Sequence, residues 1–234
     1  MKKPALLLNL IQHLAQKQTL FNRSPLKGNA GYTLIELLVV VLIIGVLATI
    51  AAPSWLGFIN QRRVSTANDL VMRSLQEAQS LAKNRKLSYS VSFRNNNGVP
   101  EIAVYPTKKS DGTAVDPANP SEFNPQGWKN FEKELNLKPR QVVLGTNLNG
   151  ENTSSSTISF NNLGNPRDNK ITFDYLGALP PGADVTQRPL TIAVATSNGG
   201  GTDGNRGTMR CVEVTTLLGA LKLDRGATCG STQL

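Results

Sequence analysis

The sequence predicts an α+β protein: a long N-terminal helix, apolar in its first half and amphipathic in its second, packed on antiparallel β-sheets. Three observations carry this expectation. Residues 33–52 (TLIELLVVVLIIGVLATIAA) form an apolar run with no polar face. Apolar residues then recur at helical spacing as far as Arg85. Beyond that the period changes to two, in short runs parted by turn residues.

Composition sets the limits. The chain has 234 residues, 39% apolar and 18% charged, which suits one or two folded domains and excludes a multi-span transporter. It has a single histidine, His13, and two cysteines, Cys211 and Cys229. That leaves almost no room for a His-ligated metal site or a Ser-His-Asp triad. The formal charge is +9, but the basic residues are unevenly placed. Residues 1–31 hold Lys2, Lys3, Lys17, Arg23 and Lys27 and no acid. Taking these five from 25 leaves 20 against 16 acids, a net of +4 for the rest. Much of the basic character therefore belongs to a leader, and a nucleic-acid reading loses weight.

Residues 32–53 read as a transmembrane and assembly helix. A span of 20 residues at 1.5 Å rise covers about 30 Å, the thickness of the hydrocarbon core. Five basic residues precede it, and only Arg62 and Arg63 follow closely. The positive-inside rule then puts the N-terminus in the cytoplasm and the rest of the chain outside. The apolar run is too long and starts too late for an ordinary secretory signal. Glu36 is the one charge inside it. A carboxylate there is costly unless it reaches water or is neutralised. A cut after Gly31 would create an amine on Tyr32, four residues before Glu36, to neutralise it.

Residues 54–86 continue as an amphipathic helix. Val64, Ala67, Val71, Leu75, Ala78 and Ala82 form one stripe. Arg62, Asp69, Arg73, Gln76 and Lys83 lie on other faces. Pro53 is expected to bend or loosen the helix. Residues 87–234 read as an exported antiparallel β domain. The strand candidates are 87–94, 101–105, 141–144, 157–160, 170–175, 190–196, 209–216 and 220–224. Asn95-Asn96-Asn97-Gly98 marks a hairpin turn between the first two. Two stretches, 106–127 and 197–208, read as long loops, more often solvated than binding.

Gly31-Tyr32-Thr33-Leu34-Ile35-Glu36 followed by Leu37-Leu38-Val39-Val40 closely resembles the type IV prepilin processing site. Gly45 and Pro53 extend the match. The resemblance implies a pilin-like fold, with residues 1–31 as the prepilin leader. It implies that a prepilin peptidase cuts between Gly31 and Tyr32 and N-methylates Tyr32. Glu36 would pair with the N-terminal amine of a neighbouring pilin subunit, each charge offsetting the other's desolvation. Tyr32 stands where the family usually has Phe, and the leader is longer than many. Its LLLNLIQHLAQ stretch reads either as an amphipathic helix on the membrane surface or as sequence upstream of a later start.

Looser resemblances point to the GspH/FimT branch. LVMRSLQEAQSLAKNRKLSYSVSF resembles its helix-to-strand junction, ITFDYLGAL (171–179) a mid-domain strand ending in a glycine turn, and VEVTTLLGALK (212–222) its terminal hairpin. Residues 106–138 would be an insertion. The implied role is a minor pilin-like subunit that enters a type IV pilus filament from the inner membrane, its β domain periplasmic. The alternatives are a minor pseudopilin of a type II secretion system, a DNA-binding subunit for DNA uptake, and, less favoured, a major pilin.

The remaining motifs are weaker. Export permits a disulfide, so Cys211 and Cys229 are expected to bridge, with two free thiols as the alternative. Arg206, Arg210, Lys222 and Arg225 are read as solvated charge, with a DNA contact as the sharper reading. The Gly-Arg-x-Arg motif linked to DNA uptake in some FimT-like subunits is replaced here by Gly219-Ala220-Leu221-Lys222. The glycines at 199–204 lack a phosphate-loop ending. Calcium at Asp203 has one faint repeat behind it. No paired carboxylates or nucleophile elbow suggest catalysis. The reading is a non-enzyme with no metal, cofactor or small-molecule substrate.

Overall fold

The computed structural model describes residues 31–119, 127–161, 163–185, 187–199 and 203–230, leaving aside the side chains of 51–54. The leader 1–30 lies outside the described residues. So do the side chains at Pro53, where a bend was expected. The chain divides between Ala51 and Ala52 into two compact units. One helix, α1 (Leu34–Arg85), contributes to both.

In the second unit, Val64, Ala67, Val71, Leu75, Ala78 and Ala82 are all fully buried, so the stripe read from spacing is the face that packs. Helix α1 stops at Lys86, which takes the left-handed conformation common just past a helix end, φ 57°. The chain then enters β1 (Tyr89–Asn96) and β2 (Val99–Pro106). Asn97 and Gly98 join them with φ of 52° and 82°, as a two-residue hairpin turn of the primed type requires. A two-residue strand β3 (Lys129–Asn130) and a short helix (Phe131–Leu135) follow. Then come β4 (Val142–Leu148), β5 (Gly150–Glu151), β6 (Ser154–Ser159) and β7 (Asn169–Phe173). The last strands are β8 (Leu190–Thr196), β9 (Arg210–Val214) and β10 (Leu221–Arg225).

The strands form two five-stranded sheets, ordered β3-β2-β1-β7-β5 and β10-β9-β8-β4-β6. All pairings are antiparallel except β5 with β7. The α+β expectation holds: the helix packs on two largely antiparallel sheets, consistent with a pilin-like fold. One core cluster joins the helix stripe to Val91, Phe93, Ile102 and Phe173 of the first sheet and to Leu144, Ile192, Val212 and Val214 of the second.

The structure departs from the reading of 106–127 and 197–208 as solvated loops. β4 and β8 are buried at every position, as is β2 apart from its last residue, Pro106. Ala103 and Tyr105 of the first sheet pack with Val115, and Trp128 packs against them. Part of the 106–127 loop is thus a cover. On the second sheet, Val143, Ala193, Ala195 and Cys211 pack with Phe160, Met209 and Cys229. The Phe160 ring lies between Gly145 and Gly204, where added Cβ atoms would come within 2.7 and 2.5 Å of it. Loop 197–208 therefore helps to close this face. Its Asp203 carboxylate accepts a hydrogen bond from Asn161 Nδ2 at 2.8 Å. No cluster of metal-ligating residues occurs among the described residues.

Candidate functional site

The N-terminal segment is built around the start of α1. Thr33 immediately precedes the first helical residue, Leu34. Its Oγ1 accepts the Glu36 N–H at 3.2 Å, and its carbonyl accepts the Leu37 N–H at 3.2 Å. Thr33 is thus an N-cap, and Thr-x-x-Glu has the spacing of a capping box. The Glu36 carboxylate also favours the positive end of the helix dipole. The sequence reading tied these residues to processing and passed over their capping role, although the spacing was visible.

Tyr32 is 81% exposed. The Glu36 carboxylate makes no ion pair or side-chain hydrogen bond among the described residues. From Leu37 to Ile50 the helix is uncharged and exposed all round. So much unpartnered apolar surface requires cover by lipid or other chains. Among the described residues, no single helix is long and apolar enough to cross a membrane. Leu34–Ile50 and Trp55–Arg85, taken together across a break, qualify by length and composition.

The C-terminal segment is a clasp. Cys211 in β9 is bonded to Cys229, 18 positions later, with Cα atoms 5.9 Å apart. The expected bridge is therefore present. Two positions along β9, buried Glu213 accepts the Gly230 N–H on Oε1 at 2.6 Å. Burial pushes the Glu213 carboxyl above the ordinary range, against the lowering effect of that amide. A covalent bond and a hydrogen bond thus tie the tail to one strand.

The four cations lie on β9, on β10 and in the loop before β9. Arg210 and Arg225 are register partners on β9 and β10. They line a cleft together with Asn68, Asp69 and Asp224. Lys222 Nζ pairs with Asp224 Oδ2 at 3.0 Å. The Thr228 hydroxyl, then Lys222, holds the Asp224 carboxyl below its ordinary range. Arg206 lies in the loop before β9 and is exposed. Two carboxylates beside the two arginines make this cleft mixed in charge, which opposes a polyanion.

Sequence reasoning missed a buried polar cluster. Arg94 and Glu101 are register partners across the first hairpin. Arg94 Nε and Nη2 each lie 2.7 Å from Glu101 Oε2. Asn130 Nδ2 donates to Glu101 Oε1 at 2.9 Å, and Arg94 stacks on Trp128 with its guanidinium carbon 4.1 Å from the ring centroid. This cluster pins the segment carrying β3 to the first sheet. Counting outward from Asn97-Gly98 would have paired Arg94 with Glu101 from sequence alone.

Residues 26–52 match the family of the prokaryotic N-terminal methylation motif. No curated protein and no solved structure matches the chain significantly. The matched segment takes in the capped, exposed apolar start of α1, which points to the class of proteins with a prepilin-type N-terminus. The family match supports a type IV pilin-like protein, structural in kind, that is processed by a prepilin peptidase and assembles with other pilins. It does not distinguish the GspH/FimT branch, and nothing in it supports DNA binding.

Proposed function

We propose that this chain is a minor pilin-like subunit of the GspH/FimT type that enters a type IV pilus filament and primes or modifies its assembly. The peptidase removes 1–31 on the cytoplasmic side and methylates Tyr32. Residues 32–53 then hold the subunit in the inner membrane, and 54–86 lead into the periplasmic domain. Glu36 sets the axial register by pairing with a neighbour's terminal amine. One observation carries this reading: a lone carboxylate, without a partner among the described residues, stands on a capped helix start inside the matched motif. An unpaired charge at the head of an apolar helix calls for an opposite charge from outside the chain.

The test is co-expression of the full chain with a prepilin peptidase. Mass spectrometry should show loss of residues 1–31 and gain of one methyl group on Tyr32. A chain left uncut by an active peptidase would refute the processing step. Glu36→Ala should still be cut but should disappear from sheared filaments. Normal recovery of that variant would remove Glu36 from assembly.

A further inference from the structure

Two turns lie back to back where α1 ends. One is Asp174–Gly177, closed by the Gly177 N–H on the Asp174 carbonyl at 2.8 Å. The other is Thr216–Gly219, closed by the Gly219 N–H on the Thr216 carbonyl at 2.9 Å. Leu179 N–H donates to the Leu217 carbonyl at 2.8 Å and joins them. Gln79 of α1 reaches both, its Nε2 donating to the Gly177 carbonyl at 3.2 Å and the Gly219 carbonyl at 2.6 Å. The Asp174 carboxylate accepts the N–H groups of Leu176 and Ala178. The turns are therefore rigid, yet they present large apolar side chains to solvent. Tyr175 is 52% exposed, Leu176 57%, Leu217 49% and Leu218 83%.

Cations flank the Asp174–Gly177 turn. The Lys83 side chain lies against Gly177. Tyr175 shares a cleft with Lys86, Leu87 and Lys108, and Arg85 lines the adjoining one. Lys83, Arg85, Lys86 and Lys108 are exposed and have no ion pair among the described residues. Two carboxylates also lie here, Asp111 in the second cleft, accepting from Thr113, and Asp174 in the first turn, so the four cations outnumber them two to one.

We propose that this double turn is a docking surface for an anionic lipid interface. Tyr175, Leu176, Leu217 and Leu218 enter the headgroup layer, and the four cations meet the lipid phosphates. Convex, preorganised apolar tips flanked by lysine and arginine combine two terms that each favour such an interface, apolar burial and attraction to anionic headgroups. A nucleic acid would use the cations and leave the leucines wet. A protein groove would take the leucines but would need an acidic rim. A lipid surface uses both sets, and the rigidity of the turns lowers the ordering cost of contact.

The test uses the full chain reconstituted in phosphatidylcholine vesicles. Fluorescent acceptor vesicles are either phosphatidylcholine alone or a mixture with phosphatidylglycerol. The protein should capture the phosphatidylglycerol acceptors selectively, and less so as salt rises. Each cation near an anionic surface is worth about fivefold in affinity, so Lys86→Gln with Lys108→Gln should weaken capture roughly 25-fold. Leu176→Ser with Leu218→Ser should abolish it, and Tyr175→Ser gives an independent check. Equal capture of both acceptors, no capture, or wild-type capture by these variants overturns the proposal. Clumping without acceptors would identify a second copy as the occupant. Single-stranded DNA binding without vesicle capture would assign the surface to nucleic acid. Either result also overturns it.

Discussion

Replacing both cysteines, Cys211→Ala with Cys229→Ala, tests the C-terminal clasp. The bridge closes a loop of 18 positions. In the chain-entropy account, a loop of that length constrains the unfolded chain by about 3.2 kcal/mol at 25 °C. Cys211 is fully buried, so losing its sulfur also removes packing beneath Phe160 and Met209. The Glu213–Gly230 hydrogen bond remains and holds part of the tail in place. The expected loss is therefore about 3 kcal/mol, or roughly 6–12 °C in Tm for a unit of this size. Urea unfolding of the full chain in detergent, followed by near-ultraviolet circular dichroism, measures it. The midpoint should fall with little change in slope. A loss below about 1 kcal/mol would refute the reasoning, because the tail would then be held without the bridge.

Other predictions follow from single contacts. Leu75→Ala should cost about 2–5 kcal/mol in the same unfolding assay, because Leu75 is fully buried in the main core. Gly219→Ala should cost at least about 1–2 kcal/mol for its φ of 78° alone. The new Cβ would also sit 2.7 Å from the Gly177 carbonyl, so vesicle capture should fall with stability. Glu213→Gln should keep the acceptor for Gly230 and remove a buried charge. A carboxyl raised in the folded state is least costly when protonated. Its contribution thus worsens as pH climbs from the unfolded value, about 4.3, through the raised folded value. The variant should gain on the wild type across that window in pH-dependent unfolding, and a parallel pair of curves would contradict the shift.

Much of the fold was legible because its periods are strong. The stripe from Val64 to Ala82 is at helical spacing, and every member is fully buried. The β1–β2 hairpin followed from Asn97-Gly98, whose positive φ values few other residue pairs tolerate. Lys129–Asn130 and Gly150–Glu151 were missed because two-residue strands have no period. They exist only because β2 and β7 offer free edges beside them. The Cys211–Cys229 bridge was legible because two cysteines in a segment read as exported have one pairing. The Glu213 contact was not, because a glutamate in a strand does not reveal which amide it meets.

Local chemistry along the chain was enough to read the prepilin-type motif, the apolar run and the helix stripe. Each depends on neighbours within a few residues: Gly31 beside Tyr32, Thr33 three before Glu36, an apolar run without interruption. Contacts between distant segments needed the folded structure. The stretches 106–127 and 197–208 look polar in sequence, yet Val115 of the first packs on one sheet and Gly204 of the second lies against Phe160 on the other, because an open sheet face must be closed by whatever chain can reach it. Likewise DYLG and TTLLG lie far apart in sequence, and only Gln79 and the pressed glycines bring them into one surface. Short-range steric and hydrogen-bond rules can be read residue by residue. Which long-range surfaces meet depends on the sum of packing over the whole domain.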